Sequence, residues 1–200
     1  MTTIEAMTKA AKKLINERLD MISDDGLKYL LLKYFENRVP EYFWLTAASQ
    51  TSNYHPIFAK SLSGLVRHTC AAFDLAIELK RSEVYSLGTS EWNVILAALL
   101  IHDTFKLGYE DKAKTVFAHP SIAADEFYDY YINEFQNTSD CNYSGILDIC
   151  GAVEAHQGKW GRKEPNSTTA RIVHICDLLS SKTVMEQFYD IKGSDVKNLI

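Results

Sequence analysis

The chain has 200 residues, a formal net charge of -5 with its histidines neutral, and 46% hydrophobic against 24% charged residues. That length and balance allow one globular unit with a real core, and only nine glycines and four prolines stand in the way of long helices. The acidic balance lacks the basic footprint of broad duplex nucleic-acid binding, while leaving room for a nucleotide in a local pocket.

Taken in chain order, the pattern is helical nearly throughout. Apolar residues at Ile4, Met7, Ala11, Ile15, Leu19 and Ile22 form a stripe at helical spacing. Asp24 and Asp25 offer an N-cap for a second helix, "GLKYLLLKYFENR", which Pro40 stops. An aromatic and apolar stretch follows, then a polar loop from Ser49 to Pro56. Further helices are expected over about 62–81 and 90–102, then over "HPSIAADEFYDYYINEF" with Pro120 in its favoured first-turn place. The last two are "SGILDICGAVEAHQG", with Gly158 as C-cap, and "STTARIVHICDLLSSKTVMEQF", entered through a capping serine or threonine. Strand-like alternation is nearly absent. The expectation is an all-α fold, a single helical bundle without linker or repeat.

The N-terminal stretch lacks a signal-peptide core, and the longest apolar run, Val94 to Ile101, is too short to span a bilayer. Cys70, Cys141, Cys150 and Cys176 form no C-x-x-C pair and read as reduced, buried thiols. Together these features suggest a cytoplasmic protein without a membrane anchor. The aromatic run "FYDYYINEF" reads as core or as a face for another subunit, so a homo-oligomer is compatible with the sequence.

The polar residues that break the apolar pattern carry the chemistry. In "AALLIHDTFKLG" an apolar helix runs into His102 and Asp103, with Lys106 three residues on. His68 lies mid-helix, His119 opens a helix and His156 closes one. Asp177 stands among Ile172, Val173, Ile175, Cys176, Leu178 and Leu179, where a carboxylate needs a cation or several donors. Imidazole and carboxylate together suit zinc, iron, manganese, cobalt or nickel, and the absence of cysteine argues against a zinc finger. The candidate ligands His68, His102, Asp103, His119, His156 and Asp177 come from five helices or helix ends. They make one site only if they meet in one pocket.

The order His68, His102-Asp103, Asp177 resembles the HD superfamily of metal-dependent phosphohydrolases, named for its adjacent His-Asp pair on an all-α fold. "LLIHDTFK" looks like its H-D-x-x-K form. His119 in "AHPSIAADEF" and His156 in "EAHQGKW" look like the extra histidines of its dinuclear subgroup. The match runs from about residue 61 to 182, and a wider likeness from about residue 27 links the chain to short HD proteins of bacteria and phages. The resemblance implies a single HD-type domain over 1–200, with residues 1–60 packed on a metal-binding core at 61–185. It implies a bacterial cytoplasm, or that of a host cell if the protein is phage-encoded.

For the site, the resemblance implies one or two divalent ions, with magnesium also allowed. His68, His102, Asp103 and Asp177 would hold the first. Asp103, His119 and His156 would hold the second, Asp103 bridging. A water between the ions would be the nucleophile, and Lys106 would neutralise a phosphate oxygen. The implied substrate is a small nucleotide or phosphodiester. Two other readings of the same ligands are a mixed-valence di-iron oxygenase and a non-catalytic nucleotide sensor.

Other residues carry weaker signals. Lys106 also reads as a cation stabilising a helix end. His174, three residues before Asp177, reads equally as a support for a ligand or as a core histidine. His55 and the cations and aromatic of "HQGKWGRKEPNS", Lys159, Trp160 and Arg162, are candidate substrate contacts or an ordinary charged surface. Arg67, beside His68, gets no role in the site.

Overall fold

The computed structural model describes residues 2–49, 55–110, 114–136, 138, 140 and 143–182. The described residues are all-helical, with no strand among them. The helices are α1 (Thr3–Leu19), α2 (Asp25–Asn37), α3 (Glu41–Leu45), α4 (Gly64–Arg81), α5 (Thr89–Ile101), α6 (His119–Glu134), α7 (Ile146–Glu154) and α8 (Thr168–Ser180). Short 3-10 turns occupy Ile57–Ala59 and Gly158–Trp160.

Local chemistry accounts for several boundaries. Thr2 and Glu5 cap α1 reciprocally: Thr2 Oγ1 accepts from the Glu5 N–H at 3.2 Å, and Glu5 Oε2 from the Thr2 N–H at 2.8 Å. Asp24 is the N-cap of α2, its Oδ1 accepting from the Leu27 N–H at 2.7 Å. Ser167 caps α8 in the same way, accepting from the Ala170 N–H at 3.1 Å. Pro120 stands in the first turn of α6, where a missing N–H costs nothing.

Four boundaries differ from the sequence expectation. The first helix ends at Leu19, and Ile22 is buried in the following turn instead. α4 starts at Gly64, because Ser63 takes a left-handed φ of 59° and Gly64 packs on the Ile57–Ala59 turn. A Cβ at position 64 would lie 2.2 Å from the Ala59 carbonyl oxygen, so the close approach requires glycine. Gly158 is not the C-cap of α7. That helix stops at Glu154 with Ala155 as cap, and Gly158, at φ 56°, opens the next 3-10 turn. The aromatic "EYFWL" forms α3, too short to reveal a helical period. The expected continuation of α8 to residue 188 lies, from residue 183, outside the described residues.

α5 explains its own composition. Every residue from Trp92 to Ile101 is buried, as expected of a helix that is apolar all round. It packs against α4, α6, α7 and α8; α4 meets α8, and α6 meets α7. α1 and α3 pack on α4 and on each other, and one continuous apolar core joins these layers. In "FYDYYINEF", Phe127, Tyr130 and Phe135 are buried. Cys70, Cys150 and Cys176 are free and buried, while Cys141 lies outside the described residues. No helix among the described residues is long and apolar enough to cross a membrane.

The core also holds the turn that follows α5. Tyr34 packs edge-on against Phe127, with ring centroids 5.3 Å apart, and its hydroxyl reaches Thr104 Oγ1 at 3.3 Å. Thr104 passes its own proton to the Ile101 carbonyl at 2.8 Å. Tyr42 donates to the Gly108 carbonyl at 2.7 Å and accepts from the Leu107 N–H at 3.2 Å. Two buried tyrosines thus clamp residues 104–108, which directly follow Asp103.

Candidate metal centre

Five helices deliver six polar side chains to one point. His68 is the fifth residue of α4 and Asp177 the tenth of α8. His102 is the C-cap of α5, followed by Asp103; His119 opens α6, and His156 follows the end of α7. His68, His102, Asp103, His119 and His156 are at most 2% exposed. The Asp177 side chain is 20% exposed.

Asp103 lies at the centre, its two oxygens facing different partners. Oδ2 is 3.5 Å from His68 Nε2 and 3.6 Å from His102 Nε2. Oδ1 is 3.0 Å from His119 Nε2 and 3.8 Å from His156 Nε2. Asp177 Oδ1 closes the first group, 3.0 Å from His68 Nε2 and 3.5 Å from His102 Nε2. The result is two clusters, His68–His102–Asp103 and Asp103–His119–His156, with one shared carboxylate. Ligands at about 2.1 Å from a first-row divalent ion stand about 3.0–3.5 Å from one another. The observed spacings lie in or near that range.

The outer ring nitrogens say which way the lone pairs point. His102 Nδ1 lies 2.7 Å from the Leu99 carbonyl, His119 Nδ1 2.7 Å from that of Val116, and His156 Nδ1 2.7 Å from that of Val153. A carbonyl only accepts, so each Nδ1 carries the hydrogen, and each neutral ring turns a bare Nε2 inward. His119 Nε2 and His156 Nε2 then face each other at 3.2 Å, lone pair to lone pair. His102 Nε2 is buried without a hydrogen-bond partner among the described residues. Bare nitrogens converging on a carboxylate need a cation between them, and Nδ1–H bonds to carbonyls are the usual support of metal-ligating histidine. The residues present fit a divalent metal.

The electrostatics agree. Burial alone would push the Asp103 carboxyl up, but Lys106, His102 and His119 outweigh it and hold the group well below the usual carboxylate range. Asp177 is also held well below that range, as the imidazoles of His102 and His68, 3.5 and 3.0 Å from its Oδ1, overcome burial. Burial pulls His102 down, yet Asp103 and Asp177 raise it above the ordinary imidazole value. Burial lowers His68 against the pull of Asp177, and burial with His102 nearby lowers His156 to about 3. Burial, with His68 beside it, lowers His55 to about 4.

These shifts set a pH dependence for the metal-free protein. As pH falls below about 6.5, unfolded chains protonate these histidines before the folded protein does: His55 is held down to about 4 and His156 to about 3, and His68 shifts in the same direction. The unfolded state then binds more protons, so stability falls as pH falls; the raised His102 and, at the acid end, the raised Asp125 oppose this. The depressed His156 lowers stability at pH 5 by about 2 kcal/mol relative to neutral pH, or roughly 4–8 °C of melting temperature. Calorimetry in a chelator should therefore show a lower midpoint at pH 5 than at pH 7. An unchanged or higher midpoint would mean that these rings are not held neutral.

A hollow of about 210 Å³ opens beside the clusters. Asp103, Lys106, His119, His156 and Asp177 line it, together with His55, Thr115, Gln157, Trp160, His174, Leu178 and Ser181. Lys106 Nζ lies 2.6 Å from Asp103 Oδ2, with its side chain 12% exposed, so it is paired within the site rather than solvated past a helix end. The His55 ring meets that of His68 edge-on at 5.2 Å, and its Nδ1 is buried without a hydrogen-bond partner among the described residues. Trp160 is half-exposed and lies 6.2 Å from the His174 ring. Lys159 and Arg162 are not part of the wall. Lys159 Nζ stands 4.8 Å over the Trp160 ring, and the Arg162 guanidinium 5.6 Å over that of Phe117.

His174 is half-buried and belongs to neither His/Asp cluster. Its Nδ1–H donates to the His156 carbonyl at 2.6 Å, and a Cβ at Gly158 would lie 2.5 Å from its ring. It lines the hollow and supports the chain around His156. Arg67 turns to the loop before α4, bonding the Phe58 carbonyl and, at 2.8 Å, Ser61 Oγ. Sequence reasoning passed over Ser180, Ser181, Gln157 and Thr115. The serines stand three and four residues after Asp177, a helical spacing that places them on its face.

A family model for the HD domain matches residues 65–182. No curated protein and no solved structure gives a match. The matched segment contains all six inward-facing side chains and covers more than half of the chain. The chain therefore belongs to the HD domain family, a superfamily made up mostly of metal-dependent hydrolases.

Proposed function

We propose that the protein is a metal-dependent hydrolase of phosphoester or phosphoanhydride bonds in a small nucleotide. The observation that supports this reading best is the convergence of bare Nε2 atoms on a carboxylate whose two oxygens face separate clusters. In this reading His68, His102, Asp103 and Asp177 hold one divalent ion, and Asp103, His119 and His156 a second. Manganese, iron, cobalt, nickel and zinc suit these donors, and magnesium is compatible with the carboxylates. Such ions supply Lewis-acid polarisation of a phosphoryl oxygen and lower the pKa of water toward neutrality.

The chain's own residues do the rest. Asp103 and Asp177 keep the charge of the site balanced and stay ionised at neutral pH. Lys106, which lines the hollow, places an ammonium where negative charge builds on the phosphoryl group. His55 and Trp160 line the space outside it, Trp160 offering a face for a base and His55 a polar edge. Lys159 and Arg162, just outside the wall, would meet further phosphates. The net charge of -5 favours a small nucleotide over a duplex. We take residues 1–200 as one HD-type unit, residues 1–60 covering the core at 61–185, and the cytoplasm as its setting.

Elemental analysis of the purified protein tests the reading first. Nucleoside monophosphates, cyclic nucleotides and nucleoside polyphosphates are then assayed with manganese, cobalt, iron and magnesium. Metal-dependent product release that a chelator abolishes is expected. Iron-dependent oxygen consumption without hydrolysis would replace this reading with the oxygenase one. Nucleotide binding without turnover under every metal would leave a sensor.

A further inference from the structure

Three of the four inward histidines sit at or just past a helix end, each with its Nδ1 on the backbone carbonyl three residues earlier. His68 does not. It lies inside α4, where the carbonyls one turn back serve the helix itself. Its Nδ1 lies 3.1 Å from Ser180 Oγ instead. Ser180 is 1% exposed and stands on α8, three residues after Asp177. The same hydroxyl lies 2.8 Å from the Asp177 carbonyl oxygen.

A hydroxyl has one proton to give and two lone pairs to receive with. When the Ser180 proton goes to the Asp177 carbonyl, the oxygen faces His68 as an acceptor. Nδ1 must then carry the ring hydrogen, and Nε2 turns a lone pair toward Asp103 and Asp177. When the proton turns to Nδ1 instead, Nε2 carries the hydrogen and donates to Asp177 Oδ1 at 3.0 Å. Both arrangements satisfy the buried ring, and they differ only in proton positions. The first matches the tautomer that the other three histidines hold through carbonyls; the second is open to His68 alone.

We propose that Ser180 is the positioning residue that sets the His68 tautomer, keeping hydrogen on Nδ1 whenever Nε2 faces a metal ion. This rests on the metal reading above and concerns one side chain of it. Removing the hydroxyl leaves a buried N–H without an acceptor in the metal-facing state, whereas the other state leaves only an unfilled acceptor, the milder defect.

Long-range 15N–1H spectra of the wild-type protein with labelled histidine read the tautomer directly, with no variant to unfold. With zinc, His68 should show hydrogen on Nδ1 and none on Nε2; in a chelator it should show hydrogen on Nε2. A zinc-loaded protein with hydrogen-free His68 Nδ1 overturns the proposal. Ser180→Ala should bind zinc roughly 10–100-fold more weakly in competition with a chelator. Its metal-free melting temperature should stay close to wild type, and Ser180→Thr should restore affinity. Wild-type affinity in Ser180→Ala also overturns the proposal. A wild-type protein that takes up no zinc removes the metal reading and this inference together. The expected spectra without any hydrolysis support the inference and defeat only the proposed reaction.

Discussion

Asp103→Ala is expected to remove metal and activity together. Other substitutions in the site take a ligand from one cluster, but Asp103 serves both. Its Oδ2 faces His68 and His102, and its Oδ1 faces His119 and His156. A metal's electrostatic contribution to a transition state is several kcal/mol, and each 1.4 kcal/mol is about tenfold in rate. The expected loss is therefore at least about a thousandfold. Metal content after desalting and hydrolysis rate are the readouts, with helical content by circular dichroism as the check on folding. Asp103→Asn sharpens the result. An amide keeps one oxygen of the pair, so that variant should retain metal in one cluster and lose it from the other. An Asp103→Ala protein that holds its metal and turns over as wild type would refute the shared-ligand arrangement.

The second large effect is expected at Lys106. Its Nζ sits 2.6 Å from Asp103 Oδ2, and the residue lines the hollow. Two roles are open to an amine so placed. It can stabilise charge on a phosphoryl oxygen, or it can act only by holding Asp103. Lys106→Ala separates them. In the first case metal content is unchanged and kcat falls about a hundredfold or more, the usual cost of losing one charge-stabilising donor. In the second, metal affinity falls with the rate. The proposed reaction requires the first outcome, measured as kcat at saturating substrate beside metal stoichiometry.

The helices and the chemical character of the site were legible because both rest on local signals. The stripe from Ile4 to Leu19, the caps Asp24 and Ser167, and the uniformly apolar α5 follow from a 3.6-residue period and from unpaired N–H groups at helix starts. His102, Asp103 and Asp177 stood out because polar side chains in apolar helices need partners. The short EYFWL helix and the start of α4 were not legible in the same way. One is shorter than the pattern that would reveal it; the other depends on a carbonyl from the Ile57–Ala59 turn.

By itself the sequence determined an all-helical chain and a set of imidazoles and carboxylates suited to divalent metal. Only the tertiary structure decided how these groups meet: that Asp103 divides its oxygens between two clusters, that Lys106 turns inward, and that Ser180 bridges His68 and Asp177. His68 and Ser180 lie 112 residues apart and touch because α4 packs on α8. Helical periodicity places a residue on a face of its own helix. Which face of another helix it meets depends on how the whole core packs, and no local spacing carries that information.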